Sequence, residues 1–296
     1  MQVNRRDFVK FCAASAAALG LTPADLLKLD QVFAAPNAPS VIWLQGAGCT
    51  GCSVSFLNLI SPAAPRDAAE VLINHVNLVY HPNVMSAAGE MAVAAAEQAF
   101  NTGRYILVVE GAIPTAFGGA ACWAWTYGGR DVTFQEAFIG LAESAMSVVA
   151  VGTCACFGGI PKAPPNPTAV KGVQELFTRN LINIPGCPAH PDWITWGLVQ
   201  VLLGKQVQLD SFRRPVALFG LKLHERCPRK EWDETNVWGK DSYCLKKLGC
   251  RGPESRSNCP TLKWNGGVNW CVDSNAPCYG CVDPAFPYSP MLRQES

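Results

Sequence analysis

Between about residues 40 and 204, short apolar runs alternate with longer amphipathic stretches. The runs at 41–44, 77–80, 105–109, 147–151 and 181–184 are rich in Val, Ile and Leu, with little polar alternation. That is the pattern of parallel strands buried on both faces. The stretches between them predict helices over 86–100, 133–145, 168–179 and 192–203. Thr133 with Glu136 forms a capping-box signature, and Thr168 is placed to cap the third helix. Strand and helix in alternation predict an α/β fold with an open, doubly wound sheet. Its functional groups belong in loops beyond the carboxyl ends of the strands. After about Leu209 the alternation stops, and the chain becomes dense in Cys, Pro, Gly and Trp. The expected division is a leader over 1–35, an α/β domain over 40–205 and an irregular C-terminal domain over 206–296.

The loops after the strands carry the informative residues. Leu44 leads to Gly48-Cys49-Thr50-Gly51-Cys52, Val109 to Glu110-Gly111, Val151 to Gly152-Thr153-Cys154, and Ile184 to Pro185-Gly186-Cys187-Pro188. Three of these four loops deliver cysteine to one edge of the sheet. A Cys-x-x-Cys in a glycine-rich loop lets two thiolates converge on one cluster, so Cys49, Cys52, Cys154 and Cys187 form a first candidate group. A redox dithiol with two core cysteines is the alternative. His224, Cys227, Cys244 and Cys250 form a second group, open to an iron–sulfur cluster or to zinc. Cys259, Cys271, Cys278 and Cys281 form a third, for which two disulfides are the competing reading. The segment beyond Leu209 holds seven of the fourteen cysteines and is too short to bury a large core, so it needs covalent or metal staples.

Composition narrows the setting. Charged residues make up only 16% of the chain, against about 25% in ordinary soluble domains. A large protein interface accounts for that deficit. No apolar run long enough to span a bilayer follows the N-terminus, so no transmembrane anchor is expected in this chain. Asn4-Arg5-Arg6-Asp7-Phe8-Val9-Lys10 resembles the twin-arginine export consensus, and an alanine-rich stretch and Val32-Phe33-Ala34-Ala35 follow. The expected destination is the periplasm, reached already folded, so the cysteines can be metal-loaded before export. The remainder is formally neutral, which gives no electrostatic case for nucleic acid or anionic lipid.

Taken in order, Gly48-Cys49-Thr50-Gly51-Cys52-Ser53, Val109-Glu110-Gly111-Ala112-Ile113-Pro114-Thr115, Gly152-Thr153-Cys154, Gly158-Gly159, Pro185-Gly186-Cys187-Pro188, His224 through Cys227-Pro228, Tyr243 through Gly252-Pro253 and Asn258-Cys259-Pro260 identify a family. The chain resembles the small subunit of nickel–iron hydrogenases over essentially its whole length. The resemblance implies a flavodoxin-like domain with a proximal cluster and a Cys-rich C-terminal iron–sulfur domain with a medial and a distal one. It assigns the first group to the proximal cluster, the second to the distal and the third to the medial, and it places the hydrogen-splitting centre in a large subunit. A c-type cytochrome is the expected electron acceptor. Glu110 is implied near the proximal cluster and the large-subunit interface, in a proton-pathway role or as a carboxylate satisfied by backbone N–H groups.

Departures from the family pattern sharpen the expectation. Many members hold a three-iron medial cluster and have proline where this chain has Cys271 in Asn269-Trp270-Cys271-Val272. Cysteine there implies three 4Fe–4S clusters and resembles the nickel–iron–selenium branch. The two extra cysteines of oxygen-tolerant members fall at Gly51 and Gly159, which implies an ordinary proximal cluster. Cys122 and Cys156 remain as packing or free thiols. The competing readings are a quinone-reductase subunit of respiratory complexes, which lacks the seven-cysteine segment, and an exported disulfide-stapled binding protein.

Overall fold

The computed structural model describes Lys28 and residues 39–59, 67–68 and 76–294. The leader expected over 1–35 therefore lies outside the described residues, apart from Lys28. Five parallel strands form one sheet in the order β2-β1-β3-β6-β7. They are β1 (Ser40–Gln45), β2 (Asn77–Tyr80), β3 (Tyr105–Glu110), β6 (Ser147–Val151) and β7 (Leu181–Ile184). This is the doubly wound order of a flavodoxin-like sheet once an inserted hairpin is set aside. That hairpin pairs β4 (Trp123–Tyr127) with β5 (Arg130–Thr133) around Gly128-Gly129. Its two-residue Gly-Gly turn is a readable hairpin signal that the strand pattern above does not include.

Alternate residues of the buried strands feed two cores, as strand geometry requires. Val41, Trp43, Ile106, Val108, Val149 and Val151 pack on one face against Trp193 and Ile194 of α5 (Pro191–Leu202). Ile42, Leu44, Leu107, Val109, Val148 and Ala150 pack on the other, under α2 (Gly89–Thr102) and α3 (Phe134–Ser144). Thr133 caps α3, its Oγ accepting from the Glu136 N–H at 3.1 Å.

The helix expected over 168–179 is a correction: only Val173–Leu176 is helical. Upstream of it the backbone is used elsewhere. The Thr168 carbonyl accepts from the N–H groups of Thr115 and Ala116, and Lys171 pairs with Ile113 in an antiparallel bridge. Thr168 therefore does not cap a helix. Tertiary hydrogen bonds to the loop after β3 outweigh a helical turn that local pattern alone would favour.

Past α5 the chain is irregular, with short helical turns and a small core of Leu223, Leu245, Leu248, Trp270, Val272 and Cys278. Specific bonds seat it on the sheet domain. Trp193 Nε1 donates to Asn258 Oδ1 at 2.8 Å, and Asn183 Nδ2 of β7 donates to the Phe212 carbonyl at 2.9 Å.

Candidate metal centres

Register across the sheet determines where the loops emerge. Gln45 lies opposite Glu110, Glu110 opposite Val151, and Val151 opposite Ile184. Four strand ends thus share one line, and the four loops that follow share one edge. The loops after β1 and β3 touch backbone to backbone: Gly111 has φ +80°, and a Cβ there would come within 2.8 Å of the Gly46 carbonyl carbon. Only glycine permits that approach.

The first cysteine group comes together at this edge. Cys52 opens α1 (Gly51–Leu57) and is buried, while Cys154 begins the short α4 (Gly152–Phe157). Burial pushes the Cys154 thiol up to about 12, and the neighbouring sulfurs of Cys187 and Cys49 add to the rise. Cys52 is raised first by burial, then by Glu110, with Cys154 and Cys187 contributing. Four acidic groups that repel one another in this way need a cation to become thiolates together. Cys49 and Cys187 are exposed. The segments that follow β1, β3 and β6 also present apolar side chains to solvent: Val54, Leu57, Phe117 and Ile160. Such a surface belongs against a partner.

The third group lines a cavity of about 430 Å³, with Cys259, Cys271, Cys278 and Cys281 on its wall together with Cys187, Trp264 and Trp270. The donor set there suits anionic sulfur. Ser257 Oγ donates to Cys259 Sγ at 3.2 Å, and the Gly280 N–H to Cys278 Sγ at 3.4 Å. Among the described residues the buried indole N–H of Trp270 has no hydrogen-bond partner. A cubane cluster with four thiolates fits this cavity in size and in chemistry. Among the described residues, no three His, Cys, Asp or Glu side chains are grouped so as to hold a single metal ion. The thirteen described cysteines are all free thiols rather than disulfides.

In the second group, Cys250 is raised by burial and then by the sulfurs of Cys227 and Cys244. A Cβ on Gly252 would sit 3.5 Å from Cys250 Sγ and 4.0 Å from His224 Cβ, so both residues flank Gly252. Burial, with Lys230 and Lys246 nearby, lowers the His224 pKa and favours the neutral ring that can act as a ligand.

Glu110 is buried and accepts hydrogen bonds from five donors. They are Trp43 Nε1 (3.0 Å), Gln45 Nε2 (3.0 Å), the N–H groups of Cys52 (3.0 Å) and Ser53 (3.1 Å), and the Ser53 hydroxyl. Ser53 Oγ lies 3.1 Å from His81 Nε2, and His81 Nδ1 accepts from the Asn83 N–H. Burial lowers the His81 pKa to about 4, so the ring is neutral at pH 7 and carries its proton on Nε2. What this geometry supplies is an anchor between β3 and the Cys52 turn. Trp43, Gln45, Ser53 and His81 escaped the sequence reading; a polar Gln45 ending an apolar strand was the available signal. Glu110→Gln is expected to cost about 2–4 kcal/mol, since a neutral amide leaves buried donors unpaired. Thermal unfolding of the heterodimer measures it.

Cys156 is fully buried, its Sγ donating to the Ala150 carbonyl at 3.3 Å, and it is close enough to Cys52 and Cys154 for both to raise its pKa. Cys122 packs at the edge of the second core. The extra cysteines of oxygen-tolerant relatives would have little room here. A Cβ at Gly51 would meet Cys49 Sγ at 3.0 Å, and one at Gly159 would meet Cys154 Sγ at 3.0 Å.

Comparison with known proteins agrees with this geometry. Residues 49–201 match the family of the 20 kDa subunit of NADH ubiquinone oxidoreductase, and residues 219–292 match the C-terminal family of the NiFe/NiFeSe hydrogenase small subunit. The chain is 40% identical to the periplasmic [NiFeSe] hydrogenase small subunit of Desulfomicrobium baculatum, over 97% of each chain. It is also 40% identical to the periplasmic [NiFe] hydrogenase small subunit of Solidesulfovibrio fructosivorans, over 96% of this chain and 90% of that one. The structure of a reduced, active Ni-Fe-Se hydrogenase from Desulfomicrobium baculatum superposes with a TM-score of 0.79, covering 87% of this chain and 99% of the other.

A five-stranded parallel sheet with cysteines gathered along one edge and a thiol-rich C-terminal segment defines an electron-transfer subunit of the oxidoreductases. The chain belongs to the small subunits of nickel–iron and nickel–iron–selenium hydrogenases. Its role is electron transfer between the large subunit of a heterodimer and an external acceptor. Among the described residues no helix is long and apolar enough to cross a membrane.

Proposed function

We propose that twelve side chains hold three 4Fe–4S clusters in sequence. Cys49, Cys52, Cys154 and Cys187 form the proximal site, Cys259, Cys271, Cys278 and Cys281 the medial site, and His224, Cys227, Cys244 and Cys250 the distal site. When bound, such clusters supply one-electron donors and acceptors. The single observation that carries the reading is the cavity walled by four cysteines, with Cys187 of the first group among its lining residues. A shared lining residue supports neighbouring medial and proximal sites.

The chain's own residues do three things. Buried thiols and the neutral His224 fix the order of the sites. Glu110 locks the Cys49–Cys52 turn to the sheet. Apolar side chains of the segments after β1, β3 and β6 exclude water once they are covered by the large subunit. We further propose export by the twin-arginine route, supported by Arg5-Arg6 and the small residues near Ala35, and an acceptor of the c-type cytochrome class at the His224 end. Domain limits of 40–205 and 206–296 belong to the same reading, supported by the end of strand–helix alternation after α5.

The test is chemical analysis of the purified heterodimer, with electron paramagnetic resonance. Iron and inorganic sulfide near ~12 each per small subunit are expected, with all ligand cysteines released as free thiols on denaturation. A colourless, iron-free protein would end the proposal.

A further inference from the structure

Thr153 stands where two of the proposed sites meet, and nothing in the cluster-ligand assignment uses it. It lies between Gly152 and Cys154, is buried, and its hydroxyl bridges the sheet domain and the C-terminal segment. Its hydroxyl donates to the Cys281 carbonyl and accepts from the Gly186 N–H at 2.9 Å. Its own N–H donates to the Gly186 carbonyl at 2.9 Å. One side chain thus ties the loop before Cys187, a proximal ligand, to the backbone of Cys281, a medial ligand.

Cys187 and Cys281 also line the same cavity, so the two proposed sites adjoin there. At the next gap a backbone N–H reaches a sulfur directly: the Cys278 N–H, medial, donates to Cys250 Sγ, distal, at 3.2 Å. There the tie is built into the chain, because the Arg251 N–H donates to the Cys278 carbonyl at 2.8 Å. At the first gap the two ligands belong to loops far apart in sequence, and a side chain has to supply the tie.

We propose that Thr153 is a positioning residue for electron transfer, holding the loop that carries Cys187 against the backbone of Cys281 so that the proximal and medial sites keep a fixed, short separation. The step it serves moves one electron. The cluster held by Cys187 is oxidised by one, the cluster held by Cys281 is reduced by one, and no proton or bond changes hands. This inference rests on the ligand assignment proposed above. A methyl in place of the hydroxyl leaves a buried carbonyl and a buried N–H unpaired, enough to shift occupancy of the seam contact by about tenfold.

The experiment uses the intact heterodimer with Thr153→Val and Thr153→Ser. Rapid-freeze electron paramagnetic resonance after mixing with H2 follows reduction of the medial site. Exchange of H2 with deuterated solvent reports the large-subunit centre, which needs no net electron export. Thr153→Val is expected to slow medial reduction about tenfold with exchange unchanged, and Thr153→Ser to restore the wild-type rate. Equal medial reduction rates in Thr153→Val and wild type, with all clusters present, would overturn the inference. So would full loading of Thr153→Ser alongside failure of both Thr153→Val and Thr153→Ala to assemble, since the hydroxyl would then serve construction rather than conduction. Wild-type protein lacking a medial signal would sink the ligand assignment instead, and the two failures are thereby separate.

Discussion

Gly152→Ala is expected to empty the proximal site while leaving the sheet folded. At Gly152 the chain turns from β6 into α4 with φ +86°, and a Cβ there would lie 2.4 Å from Cys52 Sγ. Both halves of that observation act against substitution. The positive φ disfavours any residue with a side chain. The new methyl also crowds the Cys52 sulfur, whose backbone is fixed by the Cys52 N–H bond to Glu110 at 3.0 Å, so the sulfur could yield only by rotating away from the proposed site. Cys52 and Cys154, the proposed ligands on either side, would be pushed apart by one carbon atom. Iron content should fall by about four atoms per chain, the complement of one cubane. H2-dependent dye reduction should fall by at least about a hundredfold, since the first station of the relay is lost. Far-ultraviolet circular dichroism should match wild type, because Gly152 lies past the last paired residue of β6. Retention of full iron and activity would show that Cys52 and Cys154 do not share a cluster.

Cys271→Ala is expected to convert the medial site from four irons to three. Cys271 is the most exposed of the four medial thiols, and it reaches the cavity beside Trp270. The other three sit deeper, and Ser257 and Gly280 donate to the sulfurs of Cys259 and Cys278. Losing the peripheral thiolate should release one iron and leave the rest of the cluster bound. Removing an anionic ligand also makes the site easier to reduce, so its potential should rise by on the order of 100 mV or more. The oxidised variant should show a three-iron paramagnetic signal that the wild type lacks. The same signal in the wild type, or none in the variant, would remove Cys271 from the ligand set.

Much of this architecture was legible before any coordinates. Five β-strands could be read from runs such as Ser147–Val151 and Leu181–Ile184, because a strand buried on both faces has to be apolar throughout. The Cys-x-x-Cys pairs could be read because chelation demands particular residue types at short spacings, while Cys154 and Cys187 joined Cys49 and Cys52 through their places after predicted strands. Irregular backbone was less accessible. Residues 168–172 look helical on local pattern, yet they spend their hydrogen bonds on Ile113, Thr115 and Ala116. The β4–β5 hairpin was overlooked although Gly128-Gly129 marks its turn, since Trp123–Tyr127 is half-exposed and lacks the apolar run of the central strands.

From sequence alone came the fold class through the strand pattern, the family through motifs that resemble it in order along the chain, and the twelve candidate ligands through residue type and place. Tertiary structure decided what depends on groups distant along the chain. It set the line of strand ends from Gln45 to Ile184 that brings four loops to one edge. It gathered Trp43, Gln45, Ser53 and His81 around Glu110, and it placed Thr153 across the seam to Cys281. Such contacts join residues tens to more than a hundred positions apart, and no local periodicity records them. They exist only once hydrophobic burial has brought the elements together and left each buried polar group to find a partner.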